Sequence, residues 1–276
     1  MASTSAKSND DGFVTVKKGH KLCASAKRIR KFVAPVYSSS LSNDKSYLKL
    51  MSSELILRIS DTVFSKTFIR TFSTILNERN YKEPNHAGTF LDIVAYGLGS
   101  FSTSLSSLIQ LAFAIYLKDY FSSVNKSQSR LFVYDPVFSA EEKTWLSKKD
   151  VLVIEENERG LRPVTAPTLF YMPHCYRALY NNVLYSNWNQ SSLQFVFILG
   201  NSFSQMVERD ELRKDSHSFK YLRGANDICT EVPLPCAIDE GDNAFSDQSL
   251  HYFSACTALP FKRDDSPPVY RDFEEQ

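Results

Sequence analysis

The segment from Leu91 to Tyr120 constrains the fold of this chain more than any other stretch. It begins with a short apolar run, Ile93 to Tyr96, continues through Gly97-Leu98-Gly99, and ends in a long pattern with helical spacing. A strand, a glycine turn and a helix in that order are how α/β proteins present backbone amides to a phosphate or another anion. Two glycines also suit any tight strand-to-helix turn, so a plain turn and a ligand-binding turn are both open at this point.

Short apolar runs recur along the chain and predict further strands. Together with the run that starts at Phe90 they number five, at residues 90–96, 131–134, 151–154, 168–172 and 195–199. Strands that alternate with helical patterns favour a parallel sheet with right-handed crossovers. A last strand at 250–254, antiparallel at the sheet edge, is a further candidate. The sequence therefore predicts an α/β fold that is Rossmann-like, with a mostly parallel central sheet of five to six strands and helices on both faces.

Helical spacing predicts the elements around these strands. Residues 47–80 have apolar side chains three or four apart, and Ser60-Asp61 is expected to divide them into two helices, with either residue capping the second. Ser100 or Ser102 is expected to cap the helix after the glycine turn. The link from Glu158 to Pro167 contains two prolines, so no clear helix is expected there. Further helices are predicted at 140–148, 176–188 and 202–214.

The two ends of the chain differ from its middle. Residues 1–46 are polar and serine-rich, with seven lysines and arginines between positions 17 and 31. This basic arm is predicted to be disordered, and weak contact with nucleic acid and simple solvation are both open. A disordered tail is predicted at 261–276, which leaves an α/β domain at 47–260. Within that domain, residues 215–244 look acidic and irregular, and their role is not assigned.

Composition excludes several classes of protein. The formal net charge of +1 gives no general attraction to nucleic acid or to a membrane. No apolar run approaches the roughly 18 residues that a membrane span requires, and the N-terminus lacks the apolar core of a secretory signal. The five cysteines are scattered without a Cys-x-x-Cys pair, which favours reduced thiols and disfavours zinc. We expect a soluble protein without membrane contact, cytoplasmic, with a nuclear location also open.

Polar or glycine residues stand at the end of every one of the five predicted strands. In open α/β sheets, ligands bind in the crevice outside the carboxyl ends of the strands. We therefore predict a pocket for a small anionic or nucleotide-like ligand, since these residues would meet at one edge of the sheet. The predicted ligand-binding residues are Gly97, Gly99, Ser100, Ser102, Asp135, Glu156 and Asn201.

The glycine turn departs from the standard nucleotide fingerprints. Ser102 replaces the third glycine of Gly-x-Gly-x-x-Gly, and Ala95 stands where methyltransferases have an acidic residue. Asp135 follows the second strand, where an acidic residue would bind ribose hydroxyls, but it is also suited to cap the turn before the next helix. Both roles for Asp135 are open, and a standard NAD or S-adenosylmethionine site is disfavoured.

His174-Cys175, at the end of the fourth strand, is the candidate for reaction chemistry. Three interpretations are open: a catalytic pair, a haem ligand, or a packed helix start. Adjacent residues on an extended strand point to opposite faces, so direct thiolate–imidazole pairing is not expected without a turn. His174 alone suits a general acid or base, because histidine titrates near neutrality.

Several motifs, in order, resemble the SRR-like family, named for sensitivity to red light reduced. The match covers roughly residues 90–255. Its motifs are YGLGSFS at 96–102, VYDPVF at 133–138, ENERGLR at 156–162, TLFYMPHC at 168–175, NW at 187–188, GNSFS at 200–204 and FSDQSLHYF at 245–253.

The resemblance implies a regulatory protein and supplies no active-site roles. Family members are linked to circadian clock input and to regulation of gene expression, and animal members also to control of haem biosynthesis. The leading hypothesis is a regulator whose Rossmann-like domain binds a small anionic or nucleotide-like ligand. A transferase-like enzyme that uses His174 or Cys175 beside that ligand is the alternative, and a haem-responsive binder is a third.

Overall fold

The computed structural model describes residues 53–79, 89–212, 219–235 and 244–270, all within one compact unit at 43–276. The predicted basic arm at 1–46 lies outside these ranges, as do parts of the acidic segment 215–244. In the described ranges, no helix has both the length and the apolar character to cross a membrane.

Seven strands form the central sheet. They are β1 (Thr89–Tyr96), β2 (Gln128–Tyr134), β3 (Leu152–Val153), β4 (Thr168–Met172), β5 (Val196–Asn201), β6 (Thr230–Pro233) and β7 (Gln248–Tyr252). Their order is β3-β2-β1-β4-β5-β7-β6. The first five strands pair in parallel, and β7 runs antiparallel to both β5 and β6. The predicted Rossmann-like, mostly parallel fold is confirmed.

The sheet differs from the prediction at one edge. The last strand, β7, is antiparallel as predicted but lies inside the sheet, because β6 pairs with its outer side. The strand β6 falls in the segment predicted to be irregular, where TEVP is too short for its alternation to be recognised. Its final residue is Pro233, which an edge strand tolerates because the missing amide is not needed for pairing.

Eight helices surround the sheet in the described ranges. They are α1 (Ser53–Asp61), α2 (Val63–Glu78), α3 (Leu105–Asn125), α4 (Ala140–Lys148), α5 (Arg177–Ser186), α6 (Gln190–Leu193), α7 (Phe203–Leu212) and α8 (Lys220–Ile228). Residues 154–167, between β3 and β4, contain no helix, as the two prolines predict.

Two helix starts differ from the predicted caps. Helix α2 is capped by Thr62, whose Oγ1 accepts a hydrogen bond from the Ser65 amide at 3.1 Å, and not by either residue of Ser60-Asp61. Helix α3 is capped by Ser104, and not by Ser100 or Ser102. Ser100 and Ser102 remain in the preceding loop, because the Ser100 hydroxyl and the Ser102 amide donate hydrogen bonds to Glu142 of α4.

Apolar side chains cover both faces of the sheet, as the continuous apolar run of β1 predicts. Ile93 and Ala95 pack on the face covered by α2 and α3, where Phe64, Phe68 and Phe113 are fully buried. Val94 and Tyr96 pack on the opposite face with α5 and α8. Full burial of one phenylalanine contributes about 2–3 kcal/mol, so these two layers fix where the strand ends lie.

The described end of the chain is an ordered strap, although a disordered tail is predicted from residue 261. Residues 254–270 follow β7 and pack against α5 and α8. Phe261 stacks on Trp188 with 4.9 Å between ring centroids, and the Trp188 indole donates to the Phe261 carbonyl at 3.0 Å. Tyr221 donates to the Asp264 carboxylate at 2.9 Å. Contacts of Phe261 with Trp188 therefore place this strap on the domain, although its polar composition is typical of a disordered tail.

Candidate functional site

The glycine turn after β1 has a backbone that only glycine adopts easily. Gly97 and Gly99 have φ angles of +69° and +76°, in the left-handed region. The amide of Gly97 donates to the Tyr134 carbonyl at 3.1 Å and continues the pairing of β1 with β2. A Cβ on Gly97 would lie 2.7 Å from Cys175 Sγ, so the thiol packs directly on the turn.

The carboxylate of Asp135 accepts a hydrogen bond from one backbone amide of this turn. The Gly99 amide donates to Asp135 Oδ2 at 2.7 Å, and the Val137 amide donates to Oδ1 at 3.0 Å. Both carboxylate oxygens therefore accept backbone hydrogen bonds within the protein. Of the two roles open for Asp135, this geometry corresponds to the cap of a turn.

Glu142 of α4 accepts hydrogen bonds from two further donors of this loop, a contact that was not predicted from the sequence. Its Oε1 accepts from the Ser100 hydroxyl at 2.9 Å and from the Ser102 amide at 2.8 Å. Its Oε2 accepts from the Ser139 amide at 2.8 Å in a capping box, and the residue is fully buried. The pattern Ser139-x-x-Glu142 signals the capping box, but no local pattern signals the contact with Ser100.

These contacts change how the predicted anion site is understood. The structure brings Gly97, Gly99, Ser100, Ser102 and Asp135 together, as expected from the strand order. The Gly99 amide, the Ser100 hydroxyl and the Ser102 amide already donate to carboxylates of the protein itself. An incoming anion would have to displace Asp135 or Glu142, so we treat the turn as a structural element.

Cys175 is beneath the glycine turn and is poorly placed for chemistry. Its thiol donates to the Tyr96 carbonyl at 3.2 Å. Burial raises the pKa of the Cys175 thiol well above its ordinary value, and the nearby Asp135 charge adds to this effect. A protonated thiol packed against Gly97 is a poor nucleophile.

His174 and the Cys175 thiol contact different groups of the protein. His174 is exposed and has a φ angle of +57°, in the left-handed region that residues other than glycine adopt uncommonly. Asn201 at the end of β5 supports this conformation, because its Oδ1 accepts from the His174 amide at 2.9 Å. The His174 Nε2 atom lies 3.3 Å from the Ala244 carbonyl.

A polar cleft opens beside His174, at the carboxyl ends of β4 and β5. It encloses about 350 Å³ including its open mouth. The residues that line it come from the ends of β4 and β5, from one side of α7 and from the turn before β7. They are His174, Asn201, Ser202, Gln205, Met206, Arg209 and Asp247. His174 and Asn201 were predicted at such a site, whereas the contributions of α7 and of the turn were not.

Behind the cleft, Glu231 and the buried His251 belong to one polar network. The Glu231 carboxylate of β6 accepts from the Ser204 amide at 3.1 Å and lies 3.7 Å from Nε2 of the buried His251. Partial desolvation raises the pKa of Glu231, but the neighbouring His251 ring and hydrogen bonds from Ser202 and Ser204 outweigh it and hold the pKa at about 2. Glu231 is therefore ionised at neutral pH and helps fix Ser202, which lines the cleft.

Glu156 is the one predicted ligand-binding residue that lies apart from both groups. Its side chain is exposed, and it does not line the cleft. Nearby, the Glu158 carboxylate accepts hydrogen bonds from the Tyr96 hydroxyl at 2.6 Å and from Arg162 Nη2 at 2.7 Å. These contacts connect the helix-free segment between β3 and β4 to the end of β1.

The described residues offer little for a metal ion. No group of three or more histidine, cysteine, aspartate or glutamate side chains is arranged to hold one within those ranges. The cysteines described there, Cys175, Cys229 and Cys256, are not in disulfides.

A mostly parallel sheet with helices on both faces and a polar cleft at its carboxyl edge defines a Rossmann-like α/β domain. A family model described as "SRR1 domain" matches residues 61–252, and the chain belongs to this family.

Curated relatives support the family assignment. The chain is 42% identical over 135 residues to the mouse "SRR1-like protein" and 36% identical over 170 residues to the Arabidopsis thaliana "Protein SENSITIVITY TO RED LIGHT REDUCED 1". These matches cover 49% and 60% of this chain and 53% and 60% of the relatives. A Drosophila melanogaster "SRR1-like protein" is 36% identical over 174 residues, which cover 63% of this chain and 59% of the relative.

Two of the solved structures that align with this chain are methyltransferases, both at a TM-score below 0.5. The 23S rRNA methyltransferase ErmE aligns with a TM-score of 0.36 at 12% identity and covers 66% of this chain and 68% of its own. The SAH-bound Podospora anserina methyltransferase PaMTH1 aligns with a TM-score of 0.35 at 13% identity and covers 79% and 99%. Similarity at this level carries no information about activity.

Proposed function

We propose that this protein is a regulator of the SRR1 family whose Rossmann-like domain binds a small acidic ligand in the cleft at the ends of β4 and β5. Membership of the family and the name of the Arabidopsis relative support the regulatory role. The finer proposals are input to a circadian clock, regulation of gene expression and control of haem biosynthesis. They include action in the cytoplasm or nucleus, and weak nucleic-acid contact through the basic arm.

The cationic Arg209 in the cleft is the observation that carries the ligand proposal. Its Nη2 atom donates to Gln205 Oε1 at 3.1 Å, one turn earlier on α7. No carboxylate of the described residues forms an ion pair with it. A guanidinium with free donors is well suited to a carboxylate or phosphate, which it can bind through two parallel hydrogen bonds.

The other polar groups of the cleft would position the ligand. Ser202 lies at the start of α7, where the helix dipole favours negative charge. Asn201 and His174 form the opposite wall and are fixed to each other by a hydrogen bond of 2.9 Å. A ligand held here would contact the ends of two strands and one helix at once, so binding would stabilise their relative placement.

Thermal unfolding with a panel of acidic probes tests this proposal. The probes are succinate, citrate, inorganic phosphate, AMP and the standard α-amino acids. Binding at 100 times the dissociation constant would stabilise the protein by about 2.7 kcal/mol. We expect at least one probe to raise the melting temperature of the parent protein and of a Lys148→Gln control, but not of Arg209→Gln. A flat response to every probe, or a response that Arg209→Gln retains, would count against the cleft.

A transferase-like enzyme remains the second candidate, and the exposure of His174 in the cleft favours it. His174 would act as the general acid or base, because the Cys175 thiol is buried and protonated. The test is mass spectrometry of any bound probe after incubation with the parent protein and with His174→Gln. An unchanged probe mass in every incubation would contradict the transferase hypothesis.

A further inference from the structure

Two opposite charges line the cleft without pairing. Arg209 extends from α7, and Asp247 lies on the turn before β7, with an exposed side chain. Across the part of the chain that the structure describes, neither forms an ion pair within 4.0 Å. Residues that face one cavity with complementary charge, yet do not meet, leave space for a molecule that carries both charges.

The backbone at Asp247 supports a specific position for the carboxylate. Its φ angle of +54° is in the left-handed region, where only glycine, asparagine and aspartate are readily accommodated. The turn therefore holds Asp247 at the mouth of the cleft in a conformation that a longer acidic residue would not adopt easily. Asparagine at this position would retain the turn while removing the charge.

We propose that the cleft binds a zwitterion of α-amino acid type, with its carboxylate on Arg209 and its ammonium on Asp247. This inference rests on the proposed ligand-binding function and specifies the chemical class of the ligand. Even with its open mouth included, the cleft encloses only about 350 Å³, which is small for a dinucleotide.

Blocked derivatives separate the two charges of the ligand. Binding of each standard α-amino acid would be measured by saturation-transfer NMR and calorimetry, together with its N-acetyl and its carboxamide derivatives. We expect at least one free amino acid to bind and both of its derivatives to bind ten-fold or more weakly. N-acetylation removes the charge that Asp247 recognises, and amidation removes the charge that Arg209 recognises.

Charge-matched variants assign each contact. Arg209→Gln is expected to weaken binding of the free amino acid and of its N-acetyl form, whereas Asp247→Asn is expected to abolish the preference for the free form. Lys148→Gln, on the exposed end of α4, is the control and should bind as the parent does. The melting temperature of each variant without ligand should match the parent, because neither charge is paired.

The outcomes distinguish the two proposals. If N-acetyl derivatives or simple dicarboxylates bind as tightly as free amino acids and depend on Arg209, the cleft binds anions and the zwitterion inference is wrong. If no probe of any class binds in an Arg209-dependent manner, the ligand-binding function itself fails. Binding of a free amino acid that Asp247→Asn leaves unchanged would also overturn the inference.

Discussion

The glycine turn and the cleft lie at the same edge of one sheet, and they differ in whether their polar groups are satisfied. At the turn, Asp135 and Glu142 accept hydrogen bonds from the donors that an anion would use. In the cleft, Arg209 and Asp247 have no ionic partner among the described residues. The turn resembles a known ligand motif, but three of its donors already bind carboxylates of the protein. The cleft contains no known motif, but it contains two charged side chains without an ionic partner among the described residues.

This difference predicts opposite consequences of substitution. Asp135 and Glu142 at the turn should contribute to the free energy of unfolding, because both side chains are buried and hydrogen-bonded. Arg209 and Asp247 in the cleft should contribute to binding, because both are exposed and neither forms an ion pair among the described residues. The following substitutions test the comparison from the larger expected effect to the smaller.

Glu142→Ala should have the largest effect on stability. It leaves the Ser100 hydroxyl and the amides of Ser102 and Ser139 without their acceptor, and we expect the free energy of unfolding to fall by about 3 kcal/mol. Urea denaturation monitored by circular dichroism measures this change. Glu156→Ala is the control and should leave the midpoint unchanged, because that side chain is exposed. A cost as small as that of the control would show that Glu142 does not hold the turn.

Gly97→Ala should have the next largest effect. An alanine at φ +69° is strained, and its Cβ would lie 2.7 Å from Cys175 Sγ, so we expect a loss of about 2 kcal/mol. Removing the sulfur in Gly97→Ala/Cys175→Ala should recover part of the cost, because only the backbone strain remains. A double-mutant cycle measures this coupling. Strictly additive losses would mean that the thiol and the turn are not in contact.

Glu231→Gln should have a smaller, pH-dependent effect behind the cleft. The pKa of Glu231 is about 2 in the folded protein and 4.5 ordinarily, so its contribution is fully present above pH 4.5 and is lost as the pH falls toward 2. We expect the variant to be about 1 kcal/mol less stable at pH 7, after allowance for partial solvation, and to lose less stability than the parent on acidification. Urea unfolding at pH 7, 5 and 3 tests this. Parallel pH profiles for the two proteins would contradict it.

Much of the fold could be predicted because apolar runs report burial directly. The parallel strands and helix α4 stand close to their predicted positions. Strand β6 was not predicted, because TEVP at 230–233 is too short to show alternation. Its pairing also depends on β7, which lies further along the chain. The ordered strap was missed for a similar reason, because Phe261 gains its contacts from Trp188 and not from its neighbours in sequence.

The candidate site was predictable only in outline. The rule that ligands bind at strand ends placed His174 and Asn201 at one edge, and the cleft contains both. It could not identify Arg209, because the side of α7 that faces the cleft depends on tertiary packing. Nor could it reveal that Asp135 satisfies Gly99 across 36 residues of sequence. Hydrogen bonds of that kind leave no periodic signal in the chain.

The aromatic packing gives the molecule two native optical probes. The chain contains only two tryptophans, and they sit on different parts of the structure. Trp145 of α4 lies 5.5 Å from the Phe101 ring in the glycine loop, whereas Trp188 stacks on Phe261 of the strap. Replacing either one with phenylalanine would leave a single tryptophan, whose emission would report separately on the loop or on the chain end without any added label.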